Sequence, residues 1–305
     1  MFKLLTALLA VVSLSAYSAE TISIQSPYAA NHSGTAAMFK ILDEANRQQS
    51  RYNFILEFKP GGEQIIAIKQ MDEQPQNRLA IIAPKYVEHI TSGRLNQDDY
   101  EPVWALGDAC WAVITNVGDE RKGVTSLQGQ RELVVGGVGF GNAAHLTALQ
   151  LGEKYGFKVR YVPFKSNFDA LVLMTADSSV NMVLERVSNY KQMREKNPNI
   201  KALAMSCPQR HPGVPNIRTL AEQGISAPYV FNIVIANRNM LATRQDEIAK
   251  ILTRATTIVG AKEIQISSDM RPPQFDTTPT VSYYNRSVGM VSNLLKKYHT
   301  QIVEN

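Results

Sequence analysis

The residues with the clearest chemistry lie between Leu133 and Leu146, in the stretch LVVGGVGFGNAAHL. The apolar run Leu133-Val134-Val135 has the character of a buried strand and ends in Gly136-Gly137-Val138-Gly139-Phe140-Gly141. From Asn142, the positions Ala143, Ala144, Leu146 and Leu149 carry helical spacing. A strand that stops at glycines and hands over to a helix N-terminus can hold an anion. Glycines let backbone N–H groups come close to a ligand, and the positive end of the helix dipole favours negative charge. Three readings are open: a phosphate site, a carboxylate site, or a tight turn and nothing more.

The dinucleotide pattern G-x-G-x-x-G fails, because Asn142 stands where the third glycine belongs. The next strand, Lys158 to Pro163, does not end in the Asp or Glu that would hold a ribose, and no Gly-Lys-Ser/Thr follows the glycines. A carboxylate site survives this screen best. A second turn of the same kind runs Tyr28-Ala29-Ala30-Asn31-His32-Ser33-Gly34-Thr35. It lies between a strand at Thr21–Ile24 and a helix patterned by Ala36, Met38, Phe39, Ile41 and Leu42. Ser33 or Thr35 would cap that helix, whose first N–H groups face a ligand; ordinary turn chemistry is the alternative for Asn31, His32 and Ser33.

Enzyme motifs are missing. G-x-S-x-G and H-E-x-x-H do not occur, and the histidines at 32, 89, 145, 211 and 299 have no ligand spacing. No catalytic residue, metal or cofactor is expected. The two cysteines, Cys110 and Cys207, sit in apolar strand-like runs and are either a disulfide or two buried thiols.

These turns need elements to position them. Met1-Phe2-Lys3, an apolar run from Leu4 to Leu14 and small residues at Ser15, Ala16, Ser18 and Ala19 make a secretory signal peptide over residues 1–19. Its apolar run is short for an uncleaved anchor, and no later stretch has transmembrane length. The mature chain is therefore expected to be soluble and exported. A net charge of +5, scattered without a Lys/Arg block, excludes a nucleic-acid footprint. After the leader, β-turn-α units repeat. Strands are expected at Asn53–Phe58, Leu79–Pro84, Pro102–Leu106 and Cys110–Thr115, then again from Leu133 through Ala202–Met205 and Phe231–Ala236. This order implies an α/β fold with parallel sheets and ligand turns at the strands' carboxyl ends.

Beyond these units, the residues carry a resemblance. GGVGFGNAAHL is similar to the second-lobe motif S-x-G-x-G-S-x-x-H-L of the Bug-type solute receptors of tripartite tricarboxylate transporters. Val162-Pro163-Phe164-Lys165 resembles that family's V-P-Y-K-G, with Ser166 for the glycine. His211-Pro212-Gly213-Val214-Pro215-Asn216 with Leu220-Ala221-Glu222-Gln223-Gly224 resembles L-P-D-V-P-T-x-x-E-x-G, and Lys59-Pro60-Gly61-Gly62 resembles N-x-P-G-A. The chain departs from P-F-x-x-G-G-x-x-D in the first loop, where both paired glycines are gone and Thr35 replaces the aspartate. Asn181 replaces the aspartate of Gly-Gln-Val-Asp.

The resemblance implies a two-lobed, type 2-like periplasmic-binding-protein fold, each lobe a mainly parallel sheet flanked by helices, with the ligand between lobes. The first lobe is expected over 20–117, the second over 118–231, and a return to the first lobe over 232–305. It implies a monomeric receptor that closes on a small organic acid and delivers it to membrane transporter subunits, or to a signalling partner. A secreted enzyme without a recognisable motif is the remaining alternative. The implied ligand residues are Tyr28, Ala29, Asn31, His32, Ser33, Gly34 and Thr35, with Gly139, Phe140, Gly141 and Asn142 opposite and Ala83, Pro84, Phe164, Lys165 and Ser166 on the walls. Lys165 either reaches the ligand's far end or is solvated, and His145 either packs or orients the glycine turn.

Overall fold

The computed structural model describes residues 19–30, 33–116, 123–164, 167–228, 230–271 and 280–303. The signal peptide expected over residues 1–19 thus lies outside the described residues, apart from Ala19. The chain begins with β1 (Glu20–Ser26), α1 (Ser33–Gln48), β2 (Tyr52–Phe58), α2 (Ile65–Asp72), β3 (Arg78–Ile82) and α3 (Lys85–Thr91). In α1 the buried positions Ala37, Met38, Ile41, Leu42 and Ala45 form one stripe, the spacing that makes a helix cover a sheet. Ile22, Ile24, Leu79 and Ile82 are fully buried, as central strands covered on both faces require.

Two long strands then connect two sheets. β4 (Tyr100–Ala109) belongs to the first sheet, and β5 (Trp111–Asn116) pairs in the second. The sheet change falls at Cys110, so β5, placed in the first lobe by a boundary at 117, sits in the second sheet. The reason is pairing: Trp111–Ile114 bond β8 (Met182–Arg186), and Ala112–Asn116 bond β9 (Ile200–Met205). Between these lie β6 (Glu132–Val138), α4 (Ala143–Tyr155), β7 (Lys158–Phe164), α5 (Asn167–Ala176) and α6 (Val187–Lys196). β10 (Val230–Asn237) returns to the first sheet beside β4. The orders are β11-β4-β10-β3-β1-β2 and β7-β6-β8-β5-β9, where β11 is Met270–Arg271. Both sheets are mixed rather than mainly parallel, because β10 and β5 run back against their neighbours.

Cys110 and Cys207 form a disulfide, tying the sheet crossing to the loop after β9. The closing helices are α7 (Ala242–Val259), α8 (Ala261–Ser268), α9 (Thr280–Lys297) and α10 (His299–Val303). Neither α8 nor β11 is marked by periodicity in the sequence. α9 does not stay in the first lobe. Its Tyr284 hydroxyl bonds Tyr86 of α3 at 3.0 Å, and Lys297 Nζ donates to Glu153 of α4 at 2.6 Å. A helix of 18 residues spans about 27 Å, enough to strap both lobes. Among the described residues, no helix is long and apolar enough to cross a membrane.

Candidate functional site

The turns after β1 and β3 in the first lobe approach the second lobe at the end of β8 and the turn after β6, through Tyr28 with Arg186 and Lys85 with Phe140. On the second-lobe side, Gly136 and Gly137 continue β6 rather than forming the turn. A Cβ on Gly136 would stand 2.7 Å from that of Ala170, so the glycine lets α5 pack closely. The turn proper is Gly139-Phe140-Gly141, with φ of 58° and 70° at its two glycines, values that L-residues rarely adopt. Asn142 caps α4: its Oδ1 accepts from His145 N at 2.9 Å, and its Nδ2 donates to the Val138 carbonyl.

His145 lies beneath the turn and is fully buried. Its Nδ1 accepts the Gly141 N–H at 3.0 Å, and its ring stacks on Tyr161 with centroids 4.1 Å apart. Phe140 packs against both rings. Burial, and then the nearby Lys85 charge, push the imidazole down to about 4, so it is neutral and orients the loop.

In the first lobe, Tyr28 donates its hydroxyl to Asn232 Oδ1 of β10 at 2.9 Å, pinning the turn after β1 to the returning strand. Burial pushes this phenol up to about 12 against the opposing field of Arg186. Thr35 donates to the Ala29 carbonyl at 3.4 Å rather than across the cleft. Gly34, Thr35, Tyr28 and Asn232 surround a void of about 10 Å³, smaller than a ligand needs. Asn31, His32, Lys165 and Ser166 lie outside the described residues, as does the side chain of Ser33. Phe164 ends β7, at the strand edge beside Val138.

The turn after β3 is built from farther away. Ala83 N–H donates to Gln64 Oε1 at 2.9 Å, while Pro84 leads into α3. Gln64 and Glu63 both hold left-handed backbone, with φ of 88° and 50°. Lys85 pairs with Glu63 and Glu88 and donates to the Phe140 carbonyl at 3.1 Å. This bond joins the β3 turn of one lobe to the glycine turn of the other. Arg186, at the end of β8, occupies the matching place in the second lobe and lies within electrostatic reach of Tyr28 in the first.

Two carboxylates sit close by. Burial raises Glu185, which accepts from Arg186 N at 2.6 Å, and raises Asp108, which Arg271 holds at 3.2 and 3.1 Å. Lys85, Arg186 and Asn232 went unnoticed in the sequence. The one available signal was Arg186, a charge closing an apolar strand. No group of three or more His, Cys, Asp or Glu among the described residues is placed to hold a metal.

The family model described as "Tripartite tricarboxylate transporter family receptor" matches residues 38–265, most of the chain. The chain belongs to that family. Solved structures agree with this receptor in fold. A TctC solute-binding protein from Polaromonas aligns at TM-score 0.74 and 18% identity, covering 92% of this chain and 99% of its own. MatC from Rhodopseudomonas palustris, solved with malate, aligns at 0.67 and 15%, covering 90% and 99%. A second R. palustris protein, Rpa4515, solved with adipate, aligns at 0.69 and 16%, covering 91% and 95%. A sequence comparison with curated proteins gives no match. The two-lobed periplasmic-binding fold and the Bug-type resemblance therefore hold for this receptor, and its family is one of binding receptors. The divergent turn at 27–35 lies before the matched stretch.

Proposed function

We propose that this chain is a periplasmic receptor that captures a small carboxylated organic solute between its lobes, as a monomer with its signal peptide removed, and passes it to the membrane subunits of a tripartite transporter. The observation that carries this reading is the meeting of turns from both lobes, joined by the bond from Lys85 to the Phe140 carbonyl. Backbone N–H groups at the start of α4 and the guanidinium of Arg186 are the donors we assign to a carboxylate. Each such charge-assisted bond contributes roughly 1.5–3 kcal/mol. Lys85, already between Glu63 and Glu88, serves the contact between lobes instead.

Malate and adipate, held by two structural relatives, are both dicarboxylates, which makes that class the first to test. A thermal-shift screen of the mature protein over mono-, di- and tricarboxylates, amino acids and neutral metabolites is the experiment. A bound solute at a hundredfold excess over Kd adds about 2.7 kcal/mol, enough to raise Tm by a few degrees. A shift confined to carboxylates supports the reading. A shift from neutral compounds alone overturns it.

A further inference from the structure

Asp269 connects the lobes at a second place. It follows α8 in the first lobe, precedes β11, and is buried. Its φ of 55° puts it in the left-handed region, uncommon for a residue with a side chain and best tolerated by Gly, Asn and Asp. Its Oδ2 accepts the backbone N–H of Ser188 at 2.8 Å, in the first turn of α6 in the second lobe. First-turn N–H groups have no acceptor within their own helix, and Arg186, the residue before α6, caps none of them with its side chain. One of these N–H groups, that of Ser188, is therefore capped from the other lobe. The same carboxylate stands 4.0 Å from Nε2 of His211, also on the second-lobe side.

The surroundings make this contact a narrow one. A groove of about 520 Å³ opens between the lobes beside it, with Ser188, Lys191 and His211 on one side and Lys262, Gln265 and Asp269 on the other. The adjacent Met270 is paired with Ala109, one residue from the sheet crossing. We infer that Asp269 is a positioning residue: by capping α6 it fixes the β8–α6 turn, and Arg186 with it, relative to the first lobe. The consequence for solute binding rests on the receptor reading above, whereas the link between lobes does not.

The test uses the full mature protein without solute. Asp269→Gly keeps the left-handed backbone and deletes the carboxylate, while Asp269→Asn keeps both the backbone and an acceptor oxygen. Hydrogen exchange at the Ser188 amide reports the cap. Pulsed electron paramagnetic resonance between spin labels at Lys250→Cys and Lys196→Cys, both exposed positions on opposite lobes, reports the lobe arrangement. Expected results are exchange at least tenfold faster and a broader distance distribution in Asp269→Gly, with Asp269→Asn close to the parent. The inference is overturned if Asp269→Gly changes neither readout, if it speeds exchange without altering the distances, or if Asp269→Asn matches Asp269→Gly. A receptor reading that fails its solute screen would leave all of these outcomes as they are.

Discussion

In the second lobe, the turn after β6 is held by its own motif: Asn142 caps the helix that follows, and His145, one turn along, takes the Gly141 N–H. In the first lobe, the turn after β3 is held from outside, by Gln64 on the left-handed loop that follows β2. One turn is a local unit of sequence, and the other is an assembly of segments. The lobes also differ in how their cations are used. Lys85 pairs with two glutamates and donates to a carbonyl of the other lobe, while Arg186 closes β8 beside Glu185, a carboxylate whose proton affinity burial has raised.

If the second lobe is the more self-contained, cutting its covalent tie should cost stability but spare the glycine turn. Replacing Cys110 and Cys207 together by serine removes a bridge between residues 97 apart, and should cost about 2–4 kcal/mol in urea unfolding. The Tyr161 environment, read by near-ultraviolet circular dichroism below the transition, should be unchanged.

Acid probes the His145 support directly. In the unfolded chain this imidazole takes up a proton below about pH 6.5, whereas in the fold it stays neutral down to about 4. Protons then favour the unfolded state, so stability falls across that window, by up to about 3 kcal/mol. His145→Asn, which keeps an acceptor near Gly141, should flatten this part of the stability–pH profile relative to the parent. Equal slopes from pH 7 to 4 would remove His145 as the cause.

The first-lobe turn should break through Gln64. Gln64→Ala leaves the buried Ala83 N–H without its acceptor and should cost about 1–3 kcal/mol in denaturant unfolding. The smallest effect belongs to Lys85. Lys85→Met removes two partly exposed ion pairs and one bond to Phe140, so stability should change by about 1 kcal/mol or less. Small-angle scattering should nevertheless detect a looser pair of lobes.

This contrast also explains what the sequence reveals. Strand–turn–helix units and the glycine turn are visible because their residues lie within a dozen positions of one another. Even there, Gly136 and Gly137 look like turn residues, since nothing local shows that α5 packs against the strand at Ala170. The pairing of β5 with the second sheet, the Cys110–Cys207 bond and the meeting of Lys85 with Phe140 depend on tertiary contacts. Periodicity carries no trace of these. α8 and β11 escape for a related reason: both are short, and β11 exists only by pairing with β4.

The most direct test of the account is a crystal structure of the mature receptor grown with the carboxylate that most raises its Tm. The expected result is the solute between the lobes, one carboxylate within hydrogen-bonding distance of Arg186 or of the N–H groups that open α4. A carboxylate seated elsewhere, with the Gly139–Asn142 turn and Arg186 both untouched, would contradict it.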